Sequence, residues 1–351
     1  MTWMLYGANG YTGQLLAKLA LERGERPVLA GRNAAKIVPL ADELGCAHKV
    51  VDLLDPTGLR DALAEVDLVA HCAGPFASTS EPMVSACLDA GTHYLDITGE
   101  IAVFEAVYAR ADQAKEKGVV LLPGAGFDVV PTDCLAKMLA DAVDDAVELE
   151  LAFTVGGGIS PGTLKTAVDG VGQGAQTRID GELRSVPLAH RSTVAEFPSG
   201  PKQVAAIPWG DLASAYRSTG IPTITTYTVV PGSVDLISRG EQFLRPLLRM
   251  PAVRKFGMSL VDQLARGPSE ERQSRGRAEA WGKVRGAGGR TATAAVSLPA
   301  AYQFTADSTL RAVGHVLGGK VTPGAHTPAT ALGAEFLAEC DGVEVGEVRV
   351  R

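Results

Sequence analysis

The stretch YGANGYTG, residues 6–13, decides how this chain begins to fold. It follows the apolar pair Met4–Leu5 and places glycines at intervals of three, at Gly7, Gly10 and Gly13. In a dinucleotide-binding fold the first such glycine permits a tight turn from strand to helix, the next lets the backbone approach a pyrophosphate, and the last lets the helix pack on the strand. The spacing GxxGxxG departs from the form GxGxxG, so the motif alone is a weak signal and its context decides.

That context is an alternation of short and long segments up to about residue 130. The short runs are apolar and strand-like, and they read TWMLYGA, RPVLAG, HKVVDL, DLVAHCAG, HYLDI and VVLLPGAG. The longer segments between them have helical periodicity, and several end in glycine, as a helix C-terminus favours. The alternation predicts an α/β fold, with a doubly wound parallel Rossmann sheet over residues 1–130 as an NAD(P)-binding domain.

The rhythm changes after Pro131. The strand-like runs VELELAFTV, ITTYTVV and GRTATAAVSL are separated by Gly-rich and Pro-rich stretches, which predicts a second, α+β domain over residues 131–321. A helical insertion is predicted over residues 236–267, a basic and Leu-rich segment. It is suited to packing against a second copy, to covering an apolar substrate, or to peripheral contact with anionic lipid. Residues 322–340 are candidates for packing back on the first domain.

The end of the second predicted strand bears on the choice between two cofactors. An NAD-binding protein usually carries Asp or Glu about 20 residues after the glycines, where it binds the ribose 2′-hydroxyl. Here the stretch AGRNAAK, residues 30–36, has no acidic residue and carries Arg32. A guanidinium at this place suits the 2′-phosphate of NADP, either by a bidentate contact or by stacking on the adenine. The alternative is a solvated surface arginine.

The carboxyl ends of the other strands supply the remaining cofactor candidates. Asp52 ends the third strand and is suited either to contact adenine or to cap the helix that opens at Pro56. The run HCAGPF ends the fourth strand, at the crevice where ribose and nicotinamide pass in this class of fold. The predicted cofactor-binding residues are therefore Gly7, Asn9, Gly10, Tyr11, Thr12, Gly13, Arg32, Asn33, Asp52, Ala73, Gly74 and Pro75.

Hydride transfer also needs a proton source next to the reacting atoms. The segments THYLDITGE and GFDVVPTD, at the ends of the fifth and sixth strands, supply Tyr94, Asp96 and Asp128 as catalytic candidates. Each has a structural alternative: Tyr94 is equally suited to the core, and neighbouring acids such as Glu100 and Asp133 to helix caps. No tyrosine has a lysine four residues later, so the acid/base pair of the short-chain dehydrogenases is missing.

Composition excludes several classes of protein. A net charge of -7 over 351 residues argues against a nucleic-acid partner, which asks for a basic surface. The five cysteines are scattered without a CxxC pair, so neither a metal site nor a disulfide framework is expected. The first strand begins within a few residues of Met1, and no apolar run reaches about 18 residues, so we expect a cytoplasmic protein without a signal peptide.

Taken in order, the motifs YGANGYTG, AGRNAAK, AGPF, CLDAGTHYLDITGE and PGAGFDVVPTD resemble those of the saccharopine dehydrogenase-like oxidoreductases. The motifs GPSEERQSRG (267–276), AWGKVRG (280–286) and TPGAHTPATALG (322–333) resemble its trans-acting enoyl reductase-like subgroup. The resemblance implies an NADP-type Rossmann domain and a second domain that carries substrate contacts and a homodimer interface.

We therefore expect an NADP-dependent oxidoreductase that reduces a C=C or C=N/C=O bond in an apolar substrate, either a free small molecule or one linked to a lipid. Two alternatives stay open. One is a sensor or lipid-associated binding protein that holds NADP without turning it over, and the other is an atypical short-chain reductase.

Overall fold

The computed structural model describes residues 1–156, 175–187, 189–229 and 276–351. The chain divides into two compact units, the first made of Met1–Val130 with Tyr302–Asp341 and the second of Pro131–Ala301 with Gly342–Arg351. The first unit is described in full. This division differs from the sequence-based one, because residues 302–321 lie in the first unit rather than in the second.

The first unit contains a parallel sheet in the strand order β15-β6-β5-β4-β1-β2-β3. This is the doubly wound order, which reverses between β1 and β4. Strands β1, β4 and β6 are buried along their whole length, which explains their continuous apolar sequences. The strands are β1 (Trp3–Tyr6), β2 (Val28–Gly31), β3 (His48–Val50), β4 (Leu68–His71), β5 (His93–Asp96), β6 (Val120–Leu122) and β15 (Gly324–Ala325).

Helices connect these strands and follow the expected start and stop signals. Asp55 caps one of them by accepting a hydrogen bond from the Gly58 N–H at 3.0 Å, and Pro56 occupies its first turn. Left-handed glycines end three others, at Gly45, Gly91 and Gly118. The helices are α1 (Tyr11–Glu22), α2 (Ala34–Leu44), α3 (Pro56–Leu63), α4 (Phe76–Ala90), α5 (Ile101–Tyr108) and α6 (Ala111–Lys117).

The C-terminal part of this unit is tied to α1 by ion pairs. Asp307 is buried and pairs with both Arg23 and Arg311, and the same two arginines pair with Asp341. A carboxylate shared between two guanidinium groups is compensated for its loss of water, whereas removal of one partner from such a site is costly. The segment contains α9 (Ala301–Leu317), which starts at the unit boundary, together with α10 (Pro328–Leu332) and α11 (Phe336–Glu339).

The second unit is built on a mixed sheet. In the described residues its main path runs β10-β11-β12-β7-β13-β14, with β7 parallel to β12 and antiparallel to β13. Two helices accompany it, α7 (Val130–Ala142), which starts at the boundary, and α8 (Asp211–Thr219). The strands are β7 (Ala146–Thr154), β8 (Ala175–Ile179), β9 (Glu182–Val186), β10 (Ser192–Phe197), β11 (Gly200–Ala206), β12 (Thr223–Val229), β13 (Arg277–Gly286), β14 (Thr291–Pro299), β16 (Glu344–Val345) and β17 (Arg349–Val350).

The two faces of this sheet are covered differently. On one face α7 packs so closely that a Cβ on Gly282 would lie 2.6 Å from Leu139 Cδ1. On the other face the β10–β11 hairpin closes over the central strands, and Phe197 and Val204 join Trp281 and Tyr227 in one buried cluster. The predicted class, a doubly wound Rossmann sheet with a second α+β domain, is confirmed.

Some sequence-based expectations fall outside the described residues. The helical insertion 236–267 lies there, and so does nearly all of the motif 267–276. Dimerisation and membrane contact through residues 236–267 therefore stay predictions. Within the described ranges, no helix combines the length and the apolar character needed to cross a bilayer.

Candidate dinucleotide-binding site

The turn after β1 can be built only with glycine at two of its positions. Gly7 has φ +85°, and a Cβ there would lie 2.8 Å from the Ala73 N atom. A Cβ on Gly13 would lie 2.4 Å from the Gly7 carbonyl oxygen. The first glycine therefore lets the loops after β1 and β4 touch, and the other lets α1 pack against the turn.

This turn directs the N-terminus of α1 toward the carboxyl edge of the sheet. Gly10 is the N-cap residue and carries no side chain that could satisfy the first-turn N–H groups. Its own N–H donates to the Gly7 carbonyl at 2.9 Å, which closes the turn. The first N–H groups of a helix lack partners within the helix and carry partial positive charge, so this end is suited to a pyrophosphate.

The other cofactor candidates in this loop have distinct surroundings. Tyr11 packs edge-to-face on Tyr302, with ring centroids 5.0 Å apart. The Asn9 carbonyl accepts a hydrogen bond from Gln14 Nε2, and Asn9 Oδ1 lies where a Cβ on Gly31 would approach within 3.3 Å. Asn9 therefore connects the turn with the end of β2. Thr12 lies in the first turn of α1.

Arg32 and Asp52 lie at the neighbouring strand ends. Arg32 directly follows β2, is exposed, and has no hydrogen bond or ion pair with any described residue. Asp52 follows β3, where its Oδ1 accepts from the Leu54 N–H at 3.0 Å in a local turn. Between them the Tyr6 hydroxyl donates to the Val51 carbonyl; burial and Asp52 raise the pKa of Tyr6 to about 12, and Arg32 opposes this. Asn33 is the N-cap residue of α2, without a capping bond from its side chain.

The loop after β4 is fixed by hydrogen bonds from two sides. It contains Ala73, Gly74 and Pro75, with a cis peptide between Gly74 and Pro75. The Thr79 hydroxyl lies 2.7 Å from the Ala73 carbonyl and 3.1 Å from the Pro75 carbonyl. The Glu100 carboxylate accepts from the N–H groups of Phe76 and Ala77 at 2.9 and 2.8 Å, so it caps α4 from the next loop.

A buried carboxylate holds the ends of β5 and β6 together. Asp96 Oδ1 accepts from the N–H groups of Thr98 and Gly124 at 2.9 and 2.8 Å, and Oδ2 accepts from the Tyr94 hydroxyl at 2.6 Å. Both side chains are completely buried, and burial raises the pKa of Asp96 to about 6 and also raises the pKa of Tyr94. The structure thus places two of the three catalytic candidates in a structural position, because neither reaches the surface of the crevice.

Asp128, the third catalytic candidate, lies at the same edge under different conditions. It is partly exposed, and its carboxylate lies where a Cβ on Gly99 would approach within 3.1 Å, beside the loop that carries Glu100. Burial, with a further contribution from Glu100, raises the pKa of Asp128 to about 7. A carboxyl group with that pKa is protonated in about half of the molecules at neutral pH.

Helix α9 supplies residues that the sequence reasoning missed. The Thr305 hydroxyl accepts from the Phe127 N–H at 3.0 Å, and the Ser308 hydroxyl donates to the Ala125 carbonyl at 2.8 Å. These contacts fix the loop on which Asp128 lies. A Thr–x–x–Ser pair on one helix face was the available signal, but nothing in the sequence tells which distant loop that face meets.

A buried histidine lies beneath the loop after β4. His71 is completely buried, and its Nε2 is 3.1 Å from the Thr79 hydroxyl, whereas its Nδ1 has no partner among the described residues. Burial lowers the pKa of His71 to about 3, so the ring is neutral at physiological pH. It belongs to the packing that supports this loop, between the rings of Tyr6 and Phe76.

These features are those of a dinucleotide-binding Rossmann domain. The glycine turn leads into the N-terminus of a helix, an unpaired cation follows β2, and a crevice lies where the strand order reverses. The backbone of this turn fits a dinucleotide, because a Cβ at Gly7 or Gly13 would fill the space that the turn needs. In the described residues no cluster of His, Cys, Asp and Glu is arranged to hold a metal ion.

Residues 3–122 match the family model of the saccharopine dehydrogenase NADP-binding domain. Over the aligned residues the chain is similar to the saccharopine dehydrogenase-like oxidoreductases, as its motifs indicated. It is 29% identical, over 68% of its length and 59% of the relative's, to an Arabidopsis thaliana protein assigned as a mitochondrial member of this group. A Rattus norvegicus saccharopine dehydrogenase-like oxidoreductase is 30% identical over 52% of this chain and 48% of the relative.

A Mycobacterium tuberculosis protein assigned as a trans-acting enoyl reductase is 31% identical over 47% of this chain and 43% of the relative. The matched regions thus span 43% to 59% of the length of these curated relatives. Among solved structures, saccharopine dehydrogenase (L-Glu forming) from Saccharomyces cerevisiae superimposes with a TM-score of 0.67, covering 100% of this chain and 99% of that one. At 14% identity this likeness shows a shared fold.

Replacement of Gly13 tests the packing of the turn. A Cβ in Gly13→Ala would meet backbone atoms of Gly7 and Ala8, which cannot move aside as a flexible side chain can. We expect a loss of about 1–3 kcal/mol in the free energy of unfolding and a large loss of NADPH affinity. Urea unfolding and a fluorescence titration measure the two effects.

Gly314→Ala is the matched control, since that exposed helical glycine has nothing within 4 Å of an added Cβ. It should leave cofactor affinity unchanged and raise stability slightly, because alanine is the better helix former. Equal behaviour of the two variants would contradict the packing role of Gly13.

Replacement of Asp96 separates a structural role from a role of its charge. Asp96→Ala removes the acceptor of three hydrogen bonds and should lower the free energy of unfolding by about 3 kcal/mol or more. Asp96→Asn keeps the oxygen facing Thr98 and Gly124 and should retain most of that stability at pH 7. If urea unfolding gave the same free energy for the alanine and the asparagine variants, the hydrogen bonds to Asp96 would not be structurally important.

Proposed function

We propose that this protein is an NADP-dependent oxidoreductase that reduces a C=C or C=N/C=O bond in an apolar substrate, either a free small molecule or one linked to a lipid. The observation that carries the proposal is the position of Asp128, a carboxyl group with a pKa of about 7 at the carboxyl edge of a dinucleotide-binding sheet. A proton donor at that edge stands next to the crevice in which the nicotinamide ring lies in this fold class.

In this proposal the backbone and side chains of the chain share the work of binding. The turn Gly7–Gly13 and the N-terminus of α1 seat the pyrophosphate, and the loop at Ala73–Pro75 borders the nicotinamide. The reduced nicotinamide, when bound, supplies a hydride to the unsaturated carbon of the substrate. Asp128 gives a proton to the neighbouring atom, and Glu100 keeps that proton available by disfavouring a second negative charge beside it.

The choice of NADP rests on Arg32. It is the exposed cation at the end of β2, the place where an NAD-binding protein usually has an acid, and it is unpaired among the described residues. A guanidinium that donates no hydrogen bond within the protein has its N–H groups available for a phosphate. The description of the matching family as an NADP-binding domain points the same way.

The bond and the substrate class rest on resemblance. The Mycobacterium tuberculosis relative is assigned as an enoyl reductase, which favours a C=C bond. The Asp128 chemistry suits all three bonds equally, since each reduction adds one hydride and one proton. Identification of the substrate therefore comes from a panel of apolar enones, imines and ketones incubated with NADPH.

Arg32→Asp tests the cofactor choice. Loss of a charge-assisted bidentate contact with the 2′-phosphate should weaken NADPH about 10- to 100-fold while leaving NADH nearly unchanged. Fluorescence titrations of both cofactors measure the ratio. Lys18→Asp makes the same change of charge on the exposed face of α1 and should alter neither affinity. Equal weakening of NADPH and NADH by Arg32→Asp would remove the basis for NADP.

Asp128→Asn tests the proton donor. With any panel compound that the native protein reduces, kcat should fall about 10²- to 10⁴-fold while NADPH affinity is kept. In the native protein the donor must be protonated, so kcat should decline as pH rises through about 7, and this limb should be lost in the variant. Asp89→Asn, an exposed site on α4, is the matched control. A native pH limb in Asp128→Asn would exclude this residue as the donor.

A further inference from the structure

The second unit contains a polar cavity that plays no part in the proposed reaction. It has a volume of about 220 Å³ and lies at one end of the closed-over sheet, beyond the apolar cluster of Phe197, Tyr227 and Trp281. Three elements supply its lining: β7, β13 and the start of β10. The lining residues are Glu148, Glu150, Arg191, Thr193, Lys283 and Arg285, and we call this place the charged cavity.

Both carboxylates of the charged cavity are already neutralised. Glu148 accepts from Arg191 at 3.1 Å and from two nitrogen atoms of Arg285 at 3.0 and 2.6 Å. These contacts outweigh burial and lower the pKa of Glu148. Glu150 accepts from the buried Tyr227 hydroxyl at 2.9 Å and lies 3.7 Å from Arg191. The charges of the two arginines thus balance those of the two carboxylates.

Lys283 is a further cation of the charged cavity. It is half-buried on β13, two residues from Trp281 and Arg285, and it has no hydrogen bond or ion pair with any described residue. Its cross-strand neighbour on β7 is Glu150, with which it forms no ion pair. Counting three cations against two carboxylates, the cavity holds a surplus of one positive charge.

We infer that the charged cavity is a binding site for an oxyanion of the phosphate class. Lys283 and the N–H groups of Arg191 and Arg285 that are not bonded to Glu148 are donors of the kind that phosphate oxygens accept, and the Thr193 hydroxyl adds a neutral one. The surplus of one positive charge favours an anion, and donors from three side chains suit the several oxygen atoms of a phosphate better than the two of a carboxylate. The lining residues of the charged cavity all belong to the second unit, whereas the candidate cofactor-binding residues belong to the first.

A thermal-shift and calorimetric titration with inorganic phosphate, carried out on the whole protein without nucleotide, tests this site. The expected result is saturable binding with a rise in Tm, and a much weaker response to acetate at the same ionic strength. Glycerol 3-phosphate distinguishes the source of the anion: tighter binding than inorganic phosphate would indicate a phosphate ester, and weaker binding would indicate the free ion.

Lys283→Gln should weaken phosphate at least tenfold, and Lys283→Arg should restore most of the affinity because it returns the charge. Lys320→Gln removes one exposed positive charge from the first unit and should leave the titration unchanged. NADPH affinity, measured alongside, should be native in all of these variants, which separates failure of this site from failure of the cofactor site.

Phosphate binding that survives in Lys283→Gln would overturn the assignment. An equal rise in Tm with phosphate for every variant would do the same, because it would show a general salt effect. Absence of any saturable response in the native protein, to inorganic phosphate and to glycerol 3-phosphate alike, would also exclude the site.

Discussion

The carboxyl edge of the parallel sheet depends on one buried carboxylate. Asp96 receives the N–H groups of Thr98 and Gly124 and the hydroxyl of Tyr94, so the ends of β5 and β6 are held at a fixed separation. The loops that carry Glu100 and Asp128 leave from those two ends. Burial disfavours the ionised form of Asp96 and raises its pKa. The three donors offset this because they supply the hydrogen bonds that water cannot supply at a buried site.

The two halves of the candidate cofactor site are built by different means. The half suited to the pyrophosphate is made of backbone. Its shape requires glycine at Gly7 and Gly13, where a Cβ would collide with neighbouring backbone atoms. The half at the end of β2 depends on one side chain, Arg32, which is exposed and unpaired in the described chain. A substitution at Arg32 can therefore change the cofactor preference with little effect on the fold. A substitution at Gly7 or Gly13, in contrast, disturbs the packing of the turn after β1.

Local patterns in the sequence predicted the first unit well. Its βα units can be recognised from an apolar run for the strand and helical periodicity after it, and several helices end in glycine. These patterns predicted the direction of side chains poorly: Tyr94 and Asp96 stand at the right strand end, yet both point into the core. Residues 302–321 were placed in the wrong half since only a long-range contact, Thr305 with the Phe127 N–H, reveals their partner. Nothing in the sequence indicated the charged cavity, because its lining residues come from three strands that are far apart along the chain.

The return of α9 to the first unit has a consequence for the order in which the protein matures. During synthesis, residues 1–130 leave the ribosome long before Thr305 and Ser308 exist, so the loop carrying Asp128 first forms without the hydroxyl groups that later hold it. The nascent Rossmann sheet can assemble early from its own βα units, but the loop at its carboxyl edge is held in place only after residues 305–308 have been synthesised. A nucleotide met before that moment would encounter a glycine turn that is already formed and a loop at Phe127 and Asp128 that is not yet held.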